Sequence, residues 1–244
     1  CAARLRARGP LRPRPRPAPL LRPRDGARDQ LREDGIGATS RTALDERSWV
    51  DYTPSYLAHA AELFAQLRDG LEWQQESITM FGRAYLQPRL TAWIGERGYS
   101  AASRYSASVH ASPWPDALGA LRGLAEQRYG MRPDAALVNL YRDGRDSVDW
   151  HADDEPYLGP DPLVVSLSLG APRRFVLRPR PSGPSAGRPR LAFLLGDGDL
   201  LVMGGATQRL WQHAVPKTSR PCGPRISCTL RESVVSDPGG DGSR

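Results

Sequence analysis

Three things are scarce in this chain, and each absence narrows what it can be. No apolar run approaches the roughly 20 residues a bilayer-crossing helix needs, so no membrane-spanning helix is expected. The start also lacks the charged-then-apolar order of a secretory signal. Cysteine is sparse: Cys1, Cys222 and Cys228 are an odd number with no C-x-x-C pair. Neither a disulfide framework nor a zinc ribbon is indicated, and a reducing intracellular compartment is the default expectation. That means nucleus or cytoplasm in a eukaryote, with an organelle-targeted form open, and cytoplasm in a bacterium. Histidine is scarce too, with four in 244 residues, so a histidine-based site has few residues to choose from. No internal repeat is visible. The first residue is cysteine rather than methionine, which suggests a fragment or an undefined start.

What is present reads as a globular body with a basic arm. Hydrophobic content is 39% and charged content 25%, ordinary for a folded domain. The net charge of +7 is uneven. Residues 1–34 hold ten Arg against four acids, an excess of six, which leaves the remainder near +1. Such an arm is attracted to nucleic acid or another polyanion. A transit peptide or plain Arg/Pro/Ala bias would look similar. Residues 1–45 show no hydrophobic period and are expected to be disordered, followed by a domain over 46–233 and a disordered tail over 234–244.

Order is expected from Trp49. Thr53-Pro54 reads as a helix start, Leu57, Ala60, Ala61, Phe64 and Leu67 as its apolar stripe, and Gly70 as a left-handed stop. A second helix is expected over Pro115–Tyr129, terminated by Gly130. From Leu137 onward short strands alternate with turn clusters: Leu137–Tyr141, Ser147–Asp153, Leu163–Leu169, Arg174–Leu177, Leu191–Leu195, Asp199–Met203 and Arg225–Arg231. The fold class is therefore mainly β with flanking helices (α+β), a sandwich or jelly roll buttressed on one face by the N-terminal helices.

Within those strands three groupings carry chemistry. On a strand His151 and Asp153 share a face, so imidazole and carboxylate can converge on one ion. Asp149 continues that face as a supporting partner, and His213 is the third candidate ligand. Two His and one carboxylate leave half an octahedron open, as in non-heme iron(II) oxygenases. A structural histidine on a polar strand face is the competing reading. In Arg225–Arg231 the residues Arg225, Ser227, Thr229 and Arg231 alternate onto one face. Two inward arginines are costly unless anions meet them, and a dicarboxylate is such an anion. An edge strand with solvated arginines is the alternative. Asn139 and Tyr141 share a face of their own strand and could bond the same anion. His59 and His110 read as surface residues.

These stretches resemble the AlkB family of nucleic-acid demethylases. The resemblance lies in Asn139-Leu140-Tyr141, Asp149-Trp150-His151-Ala152-Asp153-Asp154-Glu155-Pro156, Ser166–Gly170, Gly205–Gln208 with Trp211–Lys217, and Arg225–Arg231. Upstream, Gln87–Trp93 matches the region before the base-handling loop. The resemblance implies a double-stranded β-helix (jelly-roll) core using Fe(II), 2-oxoglutarate and O2. It implies His151, Asp153 and His213 as metal ligands and catalytic centre. It places Asn139, Tyr141, Arg225 and Arg231 at 2-oxoglutarate, with Trp73 bordering that pocket, and Ser227 and Thr229 join them as cosubstrate candidates from the shared strand face. Tyr99, Asp154 and Glu155 would meet the damaged base. Ser227 stands where many relatives have Asn, and Ala101 where a second aromatic is common. The implied activity is oxidative demethylation of 1-methyladenine and 3-methylcytosine in alkylated DNA or RNA, single-stranded or locally flipped, by a monomer. An oxygenase acting on protein or a small molecule, and a non-catalytic nucleic-acid-binding module, are the rival expectations.

Overall fold

Alternation in the strands decides the architecture. In Arg225–Arg231 (β14), Ile226, Cys228 and Leu230 are fully buried on one side, and the polar residues take the other. Ala135–Tyr141 (β7), Val164–Gly170 (β9) and Leu200–Gly205 (β12) repeat this two-sided pattern. Each strand therefore separates two cores.

The computed structural model describes residues 37–80, 82–95 and 111–234. It shows a jelly roll of two facing sheets. The larger joins Ser40–Ala43 (β1), Ser48–Thr53 (β2), Leu90–Gly95 (β5) and Ala111–Ser112 (β6) to the strands above, in the order β1-β2-β12-β9-β14-β7-β5-β6. The smaller consists of Val148–His151 (β8), Arg173–Pro179 (β10), Leu191–Leu195 (β11) and Trp211–Val215 (β13), in the order β11-β10-β13-β8. Ser77–Met80 (β3) and Arg83–Leu86 (β4) form a separate hairpin.

Helices Ala60–Gly70 (α1) and Gly119–Tyr129 (α2) cover the outer face of the larger sheet. Leu63 and Leu67 of α1 and Leu121 and Ala125 of α2 pack there with Val138, Leu140, Leu167, Leu169 and Ile226. The second core lies between the sheets, where Val50, Tyr52 and Val164 meet Phe175, Leu177, Phe193 and Trp211. A one-turn helix, Thr207–Leu210 (α3), leads into β13.

Several boundaries differ from the sequence expectation. Ordered pairing begins before residue 46, since β1 pairs along β2. Thr53-Pro54 ends β2 instead of starting a helix. Asp199 takes the Ser55 amide and the Tyr52 hydroxyl, and that tertiary tie turns the chain before α1 begins at Ala60. Leu63 is buried where Ala61 was expected, and Gly70 is the last helical residue with an extended Leu71 after it. Gly130 does close α2 in the left-handed region at φ 68°, where a Cβ is strained. Among the described residues six strands precede β7. β5 escaped the alternation pattern because it is buried on both faces.

Candidate metal and 2-oxoglutarate site

β8 and β13 are antiparallel neighbours in which His151 and His213 are directly paired. Directly opposed side chains on one face lie close together, and the imidazole centroids are 4.2 Å apart. β8 ends at His151, so Asp153 is not delivered by strand periodicity. It reaches the site from the following turn, where the buried amide of Gln208 accepts the Asp153 N–H at 3.0 Å. Asp153 Oδ2 then lies 3.6 Å from His213 Nε2. One donor atom from each of the three residues falls within 4.8 Å of the others.

The protonation states suit cation binding. His151 Nδ1 sits 2.8 Å from the Asp149 carbonyl. A carbonyl only accepts, so Nδ1 carries the proton and Nε2 keeps its lone pair. Asp149 thus supports the site through its backbone, while its carboxylate accepts the Trp150 amide instead. Burial, followed by neighbouring His151, pushes His213 down to about 3, which keeps it neutral. Burial alone would raise Asp153. The Arg231 guanidinium, the two histidines and Arg89 together outweigh that, and the carboxyl stays below its ordinary range. Arg231 Nη2 bonds Asp153 Oδ1 at 2.5 Å, leaving Oδ2 as the available donor oxygen.

The cluster opens onto a cavity of about 130 Å³ between the sheets. Several waters or one small organic molecule occupy such a space. Its walls include Asn139, Tyr141, Asp154, Glu155, Ser227, Thr229 and Arg231. Ser227 and Thr229 share the Ser166 hydroxyl, at 3.1 and 3.4 Å. Asn139 Oδ1 accepts Arg89 Nε at 2.8 Å, so its NH2 group is the end left to donate. Arg225 is not a wall residue. It lies behind the Tyr141 ring, 5.3 Å from the centroid, with 1% of its surface exposed. Nη2 donates to Ser168 Oγ at 2.6 Å, whereas Nε and Nη1 make no hydrogen bond. Burial lowers its pKa.

These observations test the group that the donor set suggests. Two imidazoles and one carboxylate suit iron(II) with open coordination positions. A buried guanidinium with two orphaned donors suits a carboxylate anion. The residues fit both.

The other expected site residues are placed as follows. Trp73 does not border the cavity. Its indole donates to the Arg68 carbonyl at the end of α1 and packs on the helix-side core. Asp154 is ion-paired to Arg180 at 2.7 Å. Glu155 lies 3.6 Å from Arg231 through Oε1, and its buried Oε2 has no partner. Tyr99 lies outside the described residues. Glu76, Gln87, Arg89 and Thr91 also line the cavity and were not singled out from the sequence. Nor was Gln208. The Gln87-Pro88-Arg89 and Ala206-Thr207-Gln208 stretches were visible as motifs, but not what their side chains touch.

Comparison with known proteins agrees with this geometry. The family model of the 2OG-Fe(II) oxygenase superfamily matches residues 51–231. The alpha-ketoglutarate-dependent dioxygenase alkB homolog 3 of Bos taurus is 42% identical over 190 residues, covering 75% of this chain. The chain spans 65% of that relative's length, a little under two thirds. The DNA oxidative demethylase ALKBH2 of Mus musculus is 31% identical over 194 residues, 75% of this chain and 79% of that protein. The solved structure of OsALKBH1 superposes with a TM-score of 0.50 at 20% identity, over 75% of this chain and 97% of that one, a likeness of fold. With its paired histidines, adjoining aspartate and arginine-bearing last strand, the chain belongs to the 2OG-Fe(II) oxygenase superfamily, within its AlkB family.

Proposed function

We propose that this protein removes N-methyl groups from alkylated bases, 1-methyladenine and 3-methylcytosine, in DNA or RNA. The methyl carbon leaves as formaldehyde while 2-oxoglutarate is decarboxylated to succinate. The observation that carries the reading is the convergence of His151, Asp153 and His213 on a cavity whose wall holds Glu155, a part-buried carboxylate with one buried, unpartnered oxygen. The names of the relatives, a dioxygenase and a DNA demethylase, support the same direction.

His151 Nε2, His213 Nε2 and Asp153 Oδ2 would hold the iron, which with 2-oxoglutarate and O2 supplies the oxidant for the N-methyl carbon. Arg231 keeps Asp153 ionised and fixes which oxygen faces the metal. Arg225, behind Tyr141, would supply the positive charge for a carboxylate of the diacid, and Asn139 and the Ser166–Ser227–Thr229 hydroxyls would offer it hydrogen bonds. Phe175, stacked on His213 at 5.2 Å, keeps that side of the cluster apolar. Glu155 selects the base. Methylation at these ring nitrogens makes the ring cationic, and an acid in a water-poor cavity favours a cation over the neutral base. Asp154 is the weaker candidate because it is the more exposed of the two and its ion pair with Arg180, at 2.7 Å, is tighter than that of Glu155 with Arg231 at 3.6 Å. The base must leave its stack, which is cheapest in single-stranded or damaged sites. The protein acts as a monomer, in the nucleus or cytoplasm.

The test is mass spectrometry of 1-methyladenine and 3-methylcytosine oligonucleotides, DNA and RNA side by side, with iron(II) and 2-oxoglutarate. Loss of one methylene mass per base with matching succinate is expected. Glu155→Gln should reduce turnover of these cationic bases about tenfold, as expected for losing one screened charge contact. Succinate without demethylated base would favour a protein or small-molecule substrate.

A further inference from the structure

The outer face of the smaller sheet is the reverse side of the strands that carry the two histidines. Residues 150 and 212 each precede a site histidine by one position, so their side chains point the opposite way. Among the described residues no helix covers this face as α1 and α2 cover the larger sheet. A small apolar patch of Val176, Ala192, Ala214 and Trp150 lies at its centre, and Leu194 beside it is 49% exposed.

Three arginines ring this patch. Arg178 stacks on the Trp150 indole with its guanidinium carbon 4.2 Å from the ring centroid, and Arg190 approaches the same ring at 5.7 Å. Arg174 lies one turn of the pleat behind, opposite Leu194 in register. None of the three has a carboxylate within ion-pair distance among the described residues. Arg178 instead forks onto the neutral Gln212 oxygen at 2.9 and 3.0 Å, and Arg174 Nε is buried without a partner. Burial, then the nearby Arg190, lowers the Arg178 pKa. Like charges gathered on one indole, offset only in part by the exposed Asp149 nearby and by no ion pair among the described residues, are stabilised by an external polyanion.

The position of this face relative to the cavity indicates which polyanion. β8 is an edge strand, and the chain leaving it carries Asp153, Asp154 and Glu155 into the cavity wall. Two residues beyond Arg178, Arg180 bonds Asp154 Oδ2 and the Gln208 carbonyl. Arginines therefore run from the outer face around the sheet edge to the cavity rim. A strand that leaves one base in the cavity meets this row next.

We propose that Arg190, Arg178 and Trp150, with Arg174 behind them, form a phosphodiester-binding face that holds the nucleic-acid strand flanking the base in the cavity. This rests on the nucleic-acid reading above. The guanidiniums contact phosphates, while the Trp150 ring holds their planes in place.

The experiment is fluorescence anisotropy of an unmodified oligothymidylate with the full chain across a salt series, without iron or 2-oxoglutarate. Arg190→Gln and Arg178→Gln should each lower the slope of log Kd against log salt by about 0.7 and weaken binding roughly fivefold at 0.1 M salt. Arg190→Lys should restore most of the loss, and because residue 190 is exposed its variants fold irrespective of Arg178. Unchanged slopes in the double variant, while wild type still demethylates methylated oligonucleotide, would remove this face and leave the proposed activity standing. A wild type that neither binds oligothymidylate nor demethylates would remove both. Variants that lose binding to phosphatidylserine vesicles but keep oligothymidylate binding would reassign the face to lipid and overturn the proposal.

Discussion

Arg225 and Arg231 sit six residues apart on the same strand face, yet they should respond in opposite ways to the same substitution. Arg231 is 4% exposed and holds Asp153, with Glu155 nearby. Arg231→Met strands the buried Asp153 and removes the partner of the part-buried Glu155, a change that typically destabilises by about 3–5 kcal/mol. At about 2–4 °C per kcal/mol for a chain of this size, the melting temperature should fall by roughly 6–20 °C. Arg225 is as deeply buried but has the Ser168 hydroxyl and the Tyr141 ring beside it and no carboxylate in ion-pair distance among the described residues, so its charge is poorly compensated without an anion. Arg225→Met removes that desolvation penalty and should leave stability unchanged or raise it by about 1–4 kcal/mol. The loss appears in ligand binding. With manganese(II) present and 2-oxoglutarate at about 100 times its Kd, wild type gains about 2.7 kcal/mol, which is roughly 5–11 °C. Arg225→Met should show none of that gain. Thermal melts with and without 2-oxoglutarate provide the measurement. The reasoning fails if Arg225→Met melts as low as Arg231→Met, or if it keeps the 2-oxoglutarate shift.

Three further outcomes follow from particular contacts. Gln208→Ala removes the acceptor of the Asp153 amide and should weaken metal binding about 10–100-fold, read by manganese(II) titration, with Gln208→Glu recovering part of it. Burial would raise Asp45, but the Ser185 hydroxyl and then the Trp211 indole outweigh it and hold the carboxyl at about 2. A depressed folded-state pKa stabilises above the unfolded value of about 4 and is lost as pH falls toward 2. The difference in melting temperature between wild type and Asp45→Asn should therefore be widest above pH ~5 and close near pH ~2, in melts run across that range. Deleting residues 1–34, with ten Arg and four acids, should weaken oligonucleotide binding and flatten its salt dependence, and an unchanged salt series would deny the arm that role.

Legibility in the sequence followed the physics of each element. β14 was readable to the residue because one face is apolar and the other polar, and β11 because it is a short apolar run bounded by turn clusters. β5 was not, since both its faces are buried and alternation vanishes. β13 went unassigned although it carries His213, because it follows the one-turn α3 with no turn signal between. The donor triad was legible as residue types, but the route of Asp153 was not. It depends on an amide contact with Gln208 across 55 positions, for which no local pattern exists. For the same reason the sequence misplaced Trp73, whose indole is claimed by a helix-end carbonyl. Nor could it separate Asp154 from Glu155, two adjacent acids distinguished by their exposure and by which arginine each one meets.

Anaerobic equilibrium dialysis against iron(II), comparing wild type with Asp153→Ala, addresses the metal centre directly. One tightly held iron per wild-type chain, and none in the variant, is the expected result. Equal iron uptake by the two proteins, or none by either, would contradict the account.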